Sequence, residues 1–434
     1  MCAAAVMASK GYDVTVFEKN DKPGGRINYF DASGYRFEMG PSWYWMPEVF
    51  ENFYNSFGKS ASDFYELKRL DPSYKVIFSK DESISIPADF DSLIALFESI
   101  EKGSGAKLKK FISHAEIKYK IGMNEFVWKP GRSIFEFTQM KVLLNAFKLQ
   151  LFQSIASEIK KIVKDDRLRQ ILEFPVLFLG ATPQDTPALY SLMNYADLKL
   201  GTWYPQGGMY KIAEAFHSIA VSQGVKFQFN AAVESFEYSD KSIRSVNYGD
   251  AVSSCDAVIA NADYHHVDRH LLDAKYSNYS ETYWDGRKMA PSSLLIYLGV
   301  DKKIKNLLHH NLFFDADFDN HAYEIYKNPK WPTDPLFYLC APSKTDDTVA
   351  PEGKENLFIL MPLAPDLDDR DDKVLEHYFE LIIHRVENYT GENIRDHIEY
   401  KRFFSVRDFK SLYNSYKGNA YGLANTLRQT AILK

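Results

Sequence analysis

Cysteine is scarce in this sequence. Three occur in 434 residues, Cys2, Cys255 and Cys340, none at CxxC spacing, so neither a zinc ribbon nor a redox dithiol is indicated. A sparse, odd set fits a reducing cytoplasm. No run of about 18 uncharged apolar residues is present, so no transmembrane helix is expected. Lysine and arginine form no block, and the formal charge is −6, which gives no reason to expect nucleic acid as a partner. Internal repeats and low-complexity tracts are also lacking. The opening MCAAAVMASKGY has no basic stretch before its apolar part. It therefore reads as the tail of a helix rather than a signal peptide.

What is present is the composition of a soluble globular protein, 45% hydrophobic and 25% charged. The length exceeds one ordinary core and implies two or three domains. Aromatic residues make up 15%, nearly all Tyr and Phe. That suits a large apolar cavity as well as plain core packing. Residues 1–10 have helix character and end at Gly11. YDVTVFEK (12–19) alternates like a short strand, and RINYFD and YRFEMG around Ser33-Gly34 read as a hairpin. Segments 89–101, 104–128, 133–163 and 165–174 are helical by pattern. Strands are expected at 224–230, in a meander over 233–248, and at 255–264, 292–300, 336–342 and 355–364. KVLEHYFELIIHRVENYTG is an amphipathic helix ending at a glycine. Linkers are expected near 327–335 and 365–372.

The chemistry-bearing cluster lies near the start. A dinucleotide-binding unit needs an acidic residue at the end of its second strand to hydrogen-bond a ribose, and Glu18 closes YDVTVFEK. KPGGR follows at once. Gly24 and Gly25 let backbone approach a pyrophosphate, and Arg26 offers a planar charged fork. An ordinary turn would account for the glycines alone. It would not account for the order acid, PGGR, hairpin, then GPSWYW.

EKNDKPGGRI followed by GYRFEMGPSWYW resembles the flavin-binding part of phytoene desaturases and their bacterial carotenoid-desaturase relatives. The resemblance continues through DDRLRQILEFPVLFLGATP, GTWYPQGGMYKIAEAF, DAVIANADY, FYLCAPSKTDDTVAPEG and FKSLYNSYKGNAYGL. PGGR alone is shared with a wide flavoprotein superfamily that includes amine oxidases. The resemblance implies FAD as cofactor. It assigns Glu18 to the adenosine ribose, Gly24, Gly25 and Arg26 to the pyrophosphate and ribityl chain, and Gly40, Pro41 and Ser42 to the flavin ring. It places Val233 at the adenine, with plain strand core as the alternative. Asn261, Ala262 and Asp263 end a strand beside the nucleotide, although Asp263 would serve equally as a helix cap. Gly207 and Gly208 form a turn entering a helix near the domain junction.

The fold expected is α/β, with a Rossmann-like FAD-binding domain (1–70, 201–270, 400–434) interrupted by a mixed α+β substrate domain (71–88, 271–399). A helical, membrane-facing insert occupies 89–200. In such a fold a glycine-rich turn precedes the first helix, and a strand–glycine–helix segment closes over the flavin. The reading places both outside Met1–Lys434 and expects the chain alone to bind FAD poorly.

The resemblance implies desaturation of phytoene or a related carotenoid precursor, with a hydrophobic polyene as substrate. Its products would gain conjugation stepwise. Residues 138–163 set Val142, Leu143, Phe147, Leu149 and Phe152 among lysines, as in a buried helix with a solvated face or a helix lying in a membrane interface. The family implies peripheral attachment, here to the inner face of the cell membrane. No metal is expected and no catalytic residue is assigned. Glu136 and Lys141 are the proton handlers considered, and His265 and His266 read as structural. The rival readings are an amine-oxidase-like flavoenzyme, a flavin-dependent carotenoid isomerase and a non-catalytic fragment lacking the Gly-rich turn.

Overall fold

In the computed structural model, residues 1–128, 153–177, 180–424, 426 and 429 are described. Its centre is a seven-stranded sheet. The strand order is Ile398–Phe404, Ser292–Val300, Glu355–Leu363, Phe337–Cys340, His310–Phe313, Tyr74–Ser79, Glu82–Ile86. All neighbours are antiparallel except His310–Phe313 beside Tyr74–Ser79. Every residue of SSLLIYLGV in Ser292–Val300 is buried. A strand covered on both faces reads as a continuous apolar run, as this one does. One face packs on Leu375, Phe379, Ile382, Ile383 and Val386 of helix Asp372–Thr390. That helix begins where Asp371 accepts from Lys373 N–H and stops at Gly391, whose φ of 71° only glycine adopts freely.

The other face packs on the hairpin Tyr29–Ala32/Tyr35–Glu38 and on the helices Phe90–Ile100, Ser104–Ile121, Ile155–Ile162 and Asp166–Leu177. Ser33 and Gly34 turn the hairpin with φ of 52° and 83°, the two positive values a two-residue turn needs to match strand twist. The amphipathic stretch around Val142–Phe152, with Glu136 and Lys141, lies outside the described residues.

The nucleotide side is built separately. Thr15–Phe17 pairs in parallel with Lys226–Gln228, and helices Cys2–Ser9 and Tyr210–Ser222 share a core with Tyr44, Tyr54 and Tyr65. The expected meander is a three-stranded antiparallel sheet of Val233–Ser239, Ser242–Tyr248 and Ala251–Ser254.

The strand expected over 255–264 is not formed. Ladder pairing stops at Ser254, residues 256–262 have no regular structure, and Ile259 is 67% exposed. A strand is held by its neighbours, and among the described residues none pairs with this segment.

Candidate active site

Three distant stretches meet where Glu18 ends its strand. Glu18 N–H donates to Gln228 O at 2.8 Å, and its own carbonyl accepts from Ala231 N–H at 2.9 Å. Its carboxylate accepts from Asn20 N–H at 2.9 Å. Lys19 reaches Ser411 O at 2.6 Å and Asn414 Oδ1 at 3.0 Å. Arg26 donates to Ser415 Oγ at 2.7 Å and lies over the Tyr413 ring at 5.3 Å. Asp263 caps the short helix Tyr264–His266 and accepts from Tyr416 N–H at 3.4 Å. Glu18, Arg26 and Asp263 are thus gathered around residues 411–416. Val233 is half-buried at the start of the adjacent meander, whereas Asn261 and Ala262 are exposed on the unpaired segment.

The glycines of PGGR and GPSW are used closely. A Cβ on Gly24 would lie 2.1 Å from Ile27 O, and one on Gly40 would lie 2.0 Å from Arg26 O. These contacts clamp the loop between Arg26 and the second hairpin strand. A Cβ on Gly25 would meet nothing within 4 Å, so that face of the turn is open to a ligand. Burial lowers the Arg26 pKa, partly offset by Asp263. Arg26 Nε is buried with no partner. A cation with a spare donor, beside an open glycine and an acid at a strand end, fits a dinucleotide. Glu18, Gly25 and Arg26 would hold FAD here.

Pro41 is exposed, while Ser42 is buried beside an aromatic cluster. Trp43 stacks on His310 with centroids 4.1 Å apart and planes 7° apart. Tyr74, Phe174 and Tyr338 surround the same indole. Tyr338 donates to Ser42 Oγ at 2.9 Å and meets His310 Nδ1 at 2.6 Å. His309, next along the chain, contacts Thr345 Oγ1 through Nδ1 at 2.8 Å. Trp43 Nε1, His309 Nε2 and His310 Nε2 are buried without partners.

His309, His310 and Cys340 bring their ligand-type atoms within 4.8 Å of one another, the one such cluster among the described residues. Burial pushes the Cys340 thiol up to about 12, so at neutral pH it supplies no thiolate. Sequence reasoning missed this polar cluster. His310 and Cys340 are cross-strand partners, and only the sheet register brings them together.

Asp197 lies behind Tyr74 on the π-helix Ala196–Leu200. It accepts from Tyr74 Oη at 2.9 Å and Thr202 Oγ1 at 3.5 Å. Burial pushes its carboxyl up to about 7, and pushes Glu173 to about 7 and Glu38 to about 8. For an acid with a raised folded pKa, the unfolded chain releases its proton first. Stability therefore falls as pH climbs from the ordinary carboxyl value toward 7–8. Thermal melts should show this decline. Asp197→Asn keeps an acceptor for Tyr74 and should flatten the decline, recovering at least about 1 kcal/mol at pH 8. An unchanged slope would mean that Asp197 does not titrate there.

Residues 1–433 match the flavin containing amine oxidoreductase family. A carotenoid 3,4-desaturase of Haloarcula japonica is 39% identical over 100% of this chain and 88% of its own length. A zeta-carotene-forming phytoene desaturase of Myxococcus xanthus is 31% identical, covering 99% and 83%. A 4,4'-diapophytoene desaturase of Staphylococcus haemolyticus is 30% identical, covering 99% and 88%. Among solved structures, an oxidoreductase from Methanosarcina mazei aligns with TM-score 0.61 at 16% identity, over 93% of this chain and 85% of that one. A redesigned putrescine oxidase aligns with TM-score 0.60 at 13% identity, over 97% and 84%. The structural matches share the fold, and the sequence match spans both the Glu18–Arg26 cradle and the aromatic cluster around Trp43. The chain belongs to the flavin containing amine oxidoreductases.

Proposed function

We propose that the protein desaturates phytoene or a related carotenoid precursor. The observation that carries this reading is the identity of 39% to a carotenoid 3,4-desaturase over the whole chain. Trp43, Tyr74, Phe174 and Tyr338 pack together as an apolar aromatic cluster against the large sheet, and an apolar surround of this kind is what a hydrocarbon site calls for. Bound FAD supplies the hydride acceptor. The chain's part is to hold the polyene in a dry channel and take up the proton. An allylic carbon loses hydride readily because the charge left behind is delocalised, so conjugation grows stepwise.

In this reading Glu18, Gly24, Gly25, Arg26 and Asp263 serve the nucleotide, with Val233, Asn261 and Ala262 beside it. Gly40, Pro41 and Ser42 approach the flavin ring. Residues 1–70, 201–270 and the chain after strand Ile398–Phe404 form the cofactor half. Residues 71–88 and 271–399, with that strand completed, form the substrate half, and 89–200 form the insert. The protein works as a peripheral protein on the inner face of the cell membrane, from which an insoluble polyene must be drawn. No helix among the described residues is long and apolar enough to cross a membrane. Val127 and Trp128, at the end of the described part of the insert, are 59% and 78% exposed and suit a lipid interface.

Two experiments test this. Anaerobic addition of phytoene in liposomes should bleach the flavin of the FAD-loaded enzyme, and putrescine should not; the opposite result would replace the desaturase by an amine oxidase. Glu18→Ala should weaken FAD binding by about 1–3 kcal/mol, with turnover partly restored by excess FAD. Unchanged affinity would remove Glu18 from the nucleotide site.

A further inference from the structure

Charge is divided unevenly along this chain. Residues 102–164 hold twelve lysines and one arginine against four glutamates, a balance of +9. The chain as a whole carries −6, so the remainder carries −15. The lysines are spaced along the sequence instead of running together, and so form no basic block. The fold gathers those of the described residues on the outside of the insert. Helix Ser104–Ile121 leaves Lys107, Lys109, Lys110 and Lys120 exposed. Helix Ile155–Ile162 packs against it and leaves Lys160 and Lys161 exposed. Glu101 accepts from the backbone N–H groups of Lys164 and Asp165 at 2.7 and 2.8 Å, which brings Lys102 and Lys164 to the same end of the pair.

Few of these charges are answered. Among the described residues, Lys120 pairs with Glu116 and Lys161 with Glu158, while Lys102, Lys107, Lys109, Lys110, Lys160 and Lys164 form no ion pair. Apolar side chains stand in water beside them. Lys110, Ser113, Ile117 and Lys120, three or four residues apart, make one exposed stripe of the long helix. Ile117 is 48% exposed, and Val127 and Trp128 are exposed just beyond the helix end.

We propose that this face of the insert binds anionic lipid headgroups, so that attachment is selected by lipid charge and reversed by salt. The proposal rests on the peripheral attachment read above and names what the surface selects. Each lysine close to an anionic bilayer strengthens attachment roughly fivefold. A molecule of charge −6 with its charges evenly spread would be repelled by such a bilayer. Segregation turns the basic face toward the lipid and the acidic remainder away, so the same field orients the protein. A nucleic acid would neutralise the lysines and leave Ile117 and Val127 in water. A bilayer takes both, with headgroups at the lysines and the acyl boundary at the apolar side chains.

Flotation of the full chain with substrate-free vesicles tests this. Vesicles of equal parts phosphatidylcholine and phosphatidylglycerol should carry the protein at low salt, and phosphatidylcholine alone should carry far less. Raising the salt from about 0.05 to 0.5 M should release most of it. The triple variant Lys107→Glu, Lys109→Glu, Lys110→Glu should bind the mixed vesicles about 100-fold more weakly. The triple replacement by arginine at the same positions should bind like the parent, because charge is kept. Equal binding to both vesicle types, or a triple glutamate variant that binds like the parent, would overturn the proposal while leaving peripheral attachment intact. Tighter binding to duplex DNA than to the mixed vesicles would overturn it in favour of a nucleic-acid surface. Binding to neither vesicle type would remove the attachment reading and the proposal together. Conversion of phytoene plays no part in these readings, so failure of the desaturase assignment is scored separately.

Discussion

Replacing Trp284 by alanine is expected to cost about 3–5 kcal/mol of folding stability. The indole is 1% exposed, so its removal leaves a cavity rather than a solvated dent. It also breaks a polar contact, since Trp284 Nε1 donates to Asp268 Oδ2 at 3.0 Å. Asp268 is fully buried and accepts also from Ser277 Oγ and Asn278 N–H. Loss of the indole leaves Asp268 Oδ2 with Ser277 Oγ as its remaining donor, one charge-assisted bond fewer in the interior, which adds to the cavity term. The effect should reach the nucleotide side. Trp284 stands edge-on to His265 at 5.2 Å and meets Tyr416 at 6.1 Å, on the turn where Asp263 binds Tyr416 N–H. Urea melts of Trp284→Ala and Trp284→Phe separate the two terms, because phenylalanine restores most of the volume and none of the hydrogen bond. A loss under about 1 kcal/mol for alanine would contradict the packing account.

Gly40→Ala is the second large effect. Gly40 is not at a positive φ, so the backbone conformation by itself tolerates alanine. The obstacle is the 2.0 Å between a Cβ there and Arg26 O, with Arg26 C at 3.0 Å. Backbone atoms do not swing aside as a side-chain end would, so the loop from Arg26 to Ile27 must move. The neighbouring bond from Met39 N–H to Asn28 O, 2.7 Å long, resists that motion. A cost of about 3 kcal/mol is expected. Because the displaced residue is Arg26, FAD affinity should fall with stability. Gly25→Ala makes the control for stability alone, since Gly25 itself faces the nucleotide site: φ is 59° there, but a Cβ meets no protein atom within 4 Å. It should cost only about 1–2 kcal/mol of backbone strain. Equal losses of stability at Gly40 and Gly25 would contradict the clamp.

These contrasts also show what could be read before any coordinates. Ser33-Gly34, Gly391 and the PGGR turn were legible because each answers a local demand of the backbone. The buried run Ser292–Val300, apolar from Leu294 onward, was legible because a strand buried on both faces needs no alternation. Pairing between distant strands was not legible. Nothing in TVF or KFQ alone says that Thr15–Phe17 lies beside Lys226–Gln228. Strands Tyr74–Ser79 and Glu82–Ile86 join the large sheet through His310–Phe313, a parallel contact between segments far apart in the chain. The 255–264 stretch shows the converse. Its composition favours a strand, yet β-structure is decided by a neighbour, and beyond Cys255 no strand pairs with it among the described residues. The candidate site divides in the same way. The Glu18–Arg26 cradle lies within nine consecutive residues and was visible as a motif. The His310–Tyr338–Ser42 chain exists only in three dimensions.

An FAD enzyme of this shape is expected to withdraw hydrogen from a polyene, and the mass and spectrum of the product decide whether it does. FAD-loaded enzyme, phytoene in liposomes and an electron acceptor should yield a polyene lighter by two hydrogens per step, absorbing at progressively longer wavelength as conjugation extends. A product of unchanged mass would make the enzyme an isomerase, and untouched phytoene beside an oxidised soluble amine would make it an amine oxidase; either result contradicts the account.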